Sequence, residues 1–100
     1  MDERIEFVRE QLTVQEILCQ LAEEAAELAQ AALKLRRAMD GRNPTPVSSA
    51  EAMACVTEEI ADVRLCLRLL RMDQESRCIQ ERKLERWCRR LKGEEPCSSQ

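Results

Sequence analysis

Apolar residues recur along this chain in steps of three and four, the period of one helix face, with no run of the strict alternation a half-buried strand requires. The longest series passes through Val14, Leu18, Leu21, Ala25, Leu28, Ala32, Leu35 and Met39. A second passes through Met53, Val56, Ile60, Val63, Leu67 and Leu70. Each is a seam of the kind that lays one helix along another. Shorter patterns flank them: Ile5 with Val8 or Phe7 near the start, and Ile79, Leu84, Trp87 and Leu91 near the end. The pattern predicts an all-α protein, a bundle of one short helix followed by three longer ones.

Punctuation between the seams places the helix ends. The first helix is expected over Asp2 to Gln11. Thr13 and Glu16 have the form of a capping box, in which hydroxyl and carboxylate each accept from the other residue's amide. It opens a second helix running to about Asp40, where Gly41 suits a C-terminal cap. The stretch GRNPTPVSS, with two prolines and a glycine, is the one clear loop. Ser48 with Glu51 repeats the capping box and opens a third helix ending near Met72. Asp73 is expected to cap a fourth, which stops at Gly93. Residues 1–93 read as one domain and 94–100, EEPCSSQ from Glu94 on, as a flexible C-terminal tail.

Composition narrows the class. Phe7 and Trp87 are the only aromatics, and the net charge of -3 gives no reason to expect a nucleic-acid partner. No stretch is long and apolar enough to span a membrane, and the charged start MDERIEFVREQ does not read as a secretory signal. A cytoplasmic location with reduced thiols is therefore expected. Cys19, Cys55, Cys66, Cys78 and Cys88 fall inside helical patterns without a CxxC pair, and read as small apolar fillers rather than zinc ligands. Cys97, in the polar tail, is expected to be exposed and oxidisable. Histidine is absent, which excludes His-dependent triads and the usual His base. Chemistry here must run on carboxylates, basic side chains or a metal held by oxygen.

One phrase is written twice. LAEEAAEL at residues 21–28 returns as VTEEIADV at residues 56–63. Glu24 and Glu27 lie about 60° apart around their helix, on the shoulder of the stripe formed by Leu21 and Leu28. Glu59 and Asp62 stand in the same relation to Val56 and Val63, while Glu23 and Glu58 rotate toward solvent. None of the four inner acids has a basic residue four positions later; Leu28, Ala31, Val63 and Cys66 stand there instead. If the two helices pack antiparallel through their seams, four carboxylates converge. Such a cluster persists only when neutralised by protons or by a cation, and an all-carboxylate set suits magnesium, with manganese a substitute. The plain alternative is a pair of solvated helix shoulders.

These residues resemble the MazG-like superfamily of all-α nucleoside triphosphate pyrophosphohydrolases, related to dimeric dUTPases and dCTP pyrophosphatases. Its EExxE signature is matched by Glu23, Glu24 and Glu27, and its ExxD by Glu59 and Asp62. The similarity spans roughly residues 14 to 91. It implies an oligomeric bundle, a homodimer or tetramer, that splits a nucleoside triphosphate into monophosphate and pyrophosphate with Mg2+. Glu24, Glu27, Glu59 and Asp62 would then be the metal ligands, and Glu23 or Glu24 would help position the attacking water. The family's ending of Lys, Asn and Arg is matched by Lys83 and Arg90, with Trp87 in the place of the Asn and Leu91 in that of the following aromatic.

The last helix is crowded with Arg82, Lys83, Arg86, Arg89, Arg90 and Lys92. Lys83 is the first candidate for holding substrate phosphate, with Arg86 and Arg90 behind it. For the others, the plain reading is charge at a helix C-terminus and stems laid over apolar surface. Gln20 shares the shoulder of Glu24 one turn earlier, where it either reads a base edge or stands exposed. Lys34 and Arg36 are further candidates for phosphate, reaching across a subunit interface. Trp87 reads as a core or interface anchor. Leu65, Leu69, Ala22, Ala26, Ala29 and Leu33 add apolar surface beside the seams, more than one protomer can bury, so at least a homodimer is expected. The competing function is a non-catalytic helical interaction module whose acids are a surface feature.

Overall fold

The computed structural model of the chain describes residues 2–40 and 47–94, and the elements follow the predicted order. They are α1 (Glu3–Gln11), α2 (Val14–Asp40), α3 (Ser49–Leu69) and α4 (Arg77–Leu91). The fold is all-α, with no strand among the described residues. The expected cap at Gly41, most of the proline-containing loop and Cys97 lie outside them.

Local chemistry explains most ends. Asp2 caps α1 by accepting from the Arg4 amide at 3.0 Å, and the Arg4 guanidinium bonds the same carboxylate. Those bonds hold the Asp2 carboxyl down at about 2. The box at the start of α2 is complete: the Thr13 amide donates to Glu16 Oε1 at 2.8 Å, and the Glu16 amide donates to Thr13 Oγ1 at 3.0 Å. Ser48 Oγ accepts from the Glu51 amide at 3.2 Å.

The end of α3 differs from expectation. The helix stops at Leu69, and Arg71 turns left-handed at φ 59°. The Met72 amide then bonds the Leu67 carbonyl and the Arg71 amide bonds that of Arg68, the paired bonds of a Schellman cap. This cap normally takes glycine, and with arginine in its place it carries no local mark. Asp73 therefore lies in the connection and caps nothing; α4 begins later, after Ser76, whose side chain makes no capping bond. Gly93, at φ 78°, forms the same kind of cap on α4, with the Glu94 amide on the Arg89 carbonyl.

The core is the α2–α3 pair, with α1 laid against α3. Arg9 fastens α1: its Nε donates to the Leu69 carbonyl at 3.0 Å and its Nη2 to that of Arg68 at 2.8 Å. It thus answers carbonyls at the end of α3 with a cation, where the helix dipole favours one. Ile5 and Val8 face inward, and Phe7 does not.

The observed seam of α2 is Ile17, Leu21, Glu24, Leu28, Ala31, Leu35 and Ala38. That of α3 is Ala52, Val56, Glu59, Val63, Cys66 and Leu70. Leu21, Leu28, Leu35, Val56 and Val63 stand as expected. Val14, Leu18, Met39, Met53 and Ile60 are exposed instead. Both helices have rotated so that small residues, Ala31, Ala52 and Cys66, lie at the contact, where they allow close approach. The two seams match position by position at an offset of thirty-five, from Ile17 and Ala52 through Leu35 and Leu70. The doubled phrase is the centre of a longer repeat.

Helix α4 packs on nothing to a comparable extent among the described residues. Its Leu84, Trp87 and Leu91 are 54%, 60% and 79% exposed, while Arg86 and Arg90 are half-buried. Trp87 is thus no core anchor within one protomer. The Cα radius of gyration is 17.6 Å, against about 13 Å for a compact domain of this length. Ala22, Ala26, Ala29 and Leu33 on the outer face of α2 are exposed as well. Four of the five described cysteines are exposed, only Cys66 filling the core as expected.

Candidate metal centre

The three-residue spacing of the phrase, nearly one full turn, puts Glu24 and Glu59 in the seams themselves and Glu27 and Asp62 at their exposed edge. Glu24, Glu27 and Glu59 each offer a carboxylate oxygen within 4.8 Å of the others. Asp62 lies outside that triad but within hydrogen-bonding reach of Glu24, while Glu27 stands in the same relation to Glu59. These pairings run in opposite directions along the chain, so α2 and α3 are antiparallel. Shifting each α2 residue by thirty-five exchanges the two pairs, which gives the cluster a local two-fold pattern.

The electrostatics are one-sided. Burial raises the Glu24 carboxyl above its ordinary range; the Glu27 charge and the Asp62 carboxyl raise it further. Gln20 opposes this, its Nε2 donating to Glu24 Oε1 at 3.1 Å. Burial raises Glu59 as well, followed by Glu27, Asp62 and Glu24. No basic side chain contributes to either shift. Cys66, only 4% exposed beneath them, has its thiol pushed up by burial first and then by Glu24 and Asp62.

Glu24 and Glu59 are half-buried as whole residues, yet Oε2 of each is fully shielded and accepts no hydrogen bond. A shielded acceptor without a partner costs free energy. Two states relieve it: a proton shared between facing carboxyls, as Glu24 and Asp62 are placed to hold, or a cation held by the Glu24, Glu27 and Glu59 triad. The donors are all carboxylate oxygens, which fits a hard divalent ion such as magnesium or manganese.

Beside the acids lies a cleft of about 600 Å³. Glu27, Glu58 and Glu59 line one part of it, and Lys34, Arg37 and Cys55 also border it. Sequence reasoning missed Arg37 and Glu58. The available signal was helical register, since Lys34 is seven residues beyond Glu27 and Arg37 three further. Arg36 is instead tied to Asp40 at 3.8 Å.

The remaining candidates are placed elsewhere. Glu23 is exposed on α2, beside but outside the triad. Gln20 touches Glu24 and so orients an acid. Lys83, Arg86 and Arg90 lie on α4 and do not line the cleft. Compared with protein-family models, curated proteins and solved structures, the chain finds no match, so the site is read from its own residues.

Proposed function

We propose that the protein is a magnesium-dependent nucleoside triphosphate pyrophosphohydrolase. The observation that carries the reading is the pair of shielded, unpartnered oxygens on Glu24 and Glu59, set in facing seams and surrounded by acids. Core positions are apolar by default, and an acid repeated at equivalent places in both seams asks for a cation. The resemblance of EEAAE and EIAD to the MazG-like signature supplies the reaction class.

Glu24, Glu27, Glu59 and Asp62 hold the ion, and manganese substitutes for magnesium. When bound, the ion polarises phosphoryl oxygens and lowers the pKa of a water. Gln20 fixes the rotamer of Glu24 through its 3.1 Å bond. Glu23, adjacent and open to solvent, takes the proton from the water that attacks the α-phosphorus. The bond to the bridging oxygen breaks and pyrophosphate leaves. Lys83, Arg86 and Arg90 bind substrate phosphate only when brought to the acids in an assembled oligomer.

A homodimer or tetramer is part of the proposal. It is supported by the apolar face of α4 and the outer face of α2, both exposed in the protomer. No helix among the described residues is long and apolar enough to cross a membrane, and the proposed location is the cytoplasm. Neither membrane nor nucleic acid is a proposed partner.

The second reading is a non-catalytic interaction module, favoured by that same exposed face of α4. Pyrophosphate release from a panel of nucleoside triphosphates, with and without magnesium, separates the two. The enzyme gives magnesium-dependent release that Glu59→Ala abolishes while helicity is kept. A module gives none from any nucleotide.

A further inference from the structure

We infer that Lys34 and Arg37 form the phosphate-chain end of the cleft whose acidic end is Glu27 and Glu59. The inference rests on the metal reading above and adds what the metal is placed to meet. Lys34 lies seven residues beyond Glu27 on the same face of α2, about 10 Å along the axis, and Arg37 about 5 Å further. Both border the one cleft of about 600 Å³ that Glu27 and Glu59 also line. Neither forms an ion pair among the described residues, although Arg36 between them is paired with Asp40. Two cations standing without acids beside an acid cluster standing without bases is an arrangement that a bridging ligand completes. Such a ligand carries a metal-binding anion at one end and further anionic oxygens along its length. A chain of two or three phosphates does so: one part meets the cation between the carboxylates, and the rest reaches the Lys34 ammonium and the Arg37 guanidinium. Free polyphosphate and a nucleoside triphosphate share that chemistry. The site would thus use α2 for both metal and phosphate, independently of the basic helix α4.

The test is calorimetric titration of inorganic triphosphate, with and without manganese, into the full chain and into Lys34→Gln, Arg37→Gln and the double variant. Nucleoside triphosphates are titrated alongside. Expected is manganese-dependent binding to the unsubstituted protein, weakened about tenfold or more by each substitution, with the thermal shift by manganese alone unchanged. Equal affinity for inorganic and nucleoside triphosphate assigns the cleft to the phosphate chain alone; tighter nucleotide binding adds the nucleoside, with the same loss on substitution. Unweakened binding in the double variant overturns the inference and leaves the metal reading standing. Absence of triphosphate binding by the unsubstituted protein also overturns it, and only the further absence of a manganese thermal shift removes the metal reading as well.

Discussion

Glu24 and Glu59 occupy equivalent places on facing helices, thirty-five positions apart in the chain, and each keeps one carboxylate oxygen shielded from water without a donor. Both carboxyls titrate above their ordinary 4.5, burial being the first cause. The folded state therefore holds these protons more tightly than the unfolded chain does. Below pH 4.5 both states are protonated and this penalty is absent. As pH rises from 4.5 through the raised folded values, the unfolded chain releases its protons first and stability falls. Denaturant melts in a chelator across that window should show the decline, and its loss in Glu24→Gln with Glu59→Gln.

Removing one of the charges should stabilise the metal-free protein. Glu59→Gln keeps the shape, ends the repulsion from Glu27, Asp62 and Glu24, and turns a stranded acceptor into a group that also donates. Its melting temperature in chelator at pH 8 should exceed that of the unsubstituted chain. The same variant should lose its response to magnesium. A substitution that lowers stability without metal and keeps the response contradicts the arrangement.

Arg9 should be the strongest single fastening of α1. Arg9→Ala leaves the Leu69 and Arg68 carbonyls and the Glu6 carboxylate without their guanidinium. A loss of about 1–3 kcal/mol is expected, together with faster amide exchange confined to α1 and the end of α3. Arg9→Lys should recover only part of it, since an ammonium cannot reproduce the fork.

At Arg71 the expected sign is reversed. A left-handed non-glycine residue carries a steric cost that glycine avoids. Arg71→Gly should therefore stabilise by about 0.5–1 kcal/mol, less whatever the exposed Arg71–Glu6 contact at 3.8 Å contributes. Chemical denaturation with an unchanged m-value checks it.

Leu84, Trp87 and Leu91 give the handle on assembly. Sedimentation of the unsubstituted chain should show a dimer or tetramer, with Trp87 emission blue-shifted relative to the monomer. Leu84→Asp should dissociate it and shift that emission to the red. A monomer at all concentrations sinks the oligomer proposal.

Much of the fold was legible because helix periodicity and capping boxes are local signals. Thr13 with Glu16 and Ser48 with Glu51 lie where their spacing put them, and the four helices follow in order. The seams were harder. A count of apolar residues prefers Ile60 to Glu59, and a register begun at Val14 takes Leu18 over Ile17; neither weighs how closely Ala31, Ala52 and Cys66 let backbones approach. The duplicated acids nonetheless marked the cluster, because duplication is visible where burial is not. Arg9 and the cap at Arg71 left no signature: one is a single long-range contact, the other a glycine position filled by arginine. The pattern of α4 said that a face is to be covered and nothing about what covers it.

The most direct measurement is the melting temperature of the full chain at pH 7.5 against increasing magnesium, with calcium-free buffer and Glu24→Gln/Glu59→Gln in parallel. A cation bound only by the folded state raises stability with concentration, and each kcal/mol moves the midpoint of a domain this size by about 4–8 °C. A saturable rise in the unsubstituted protein, absent from the double variant, is expected. Equal midpoints with and without millimolar magnesium or manganese would mean that Glu24, Glu27, Glu59 and Asp62 meet for no ion.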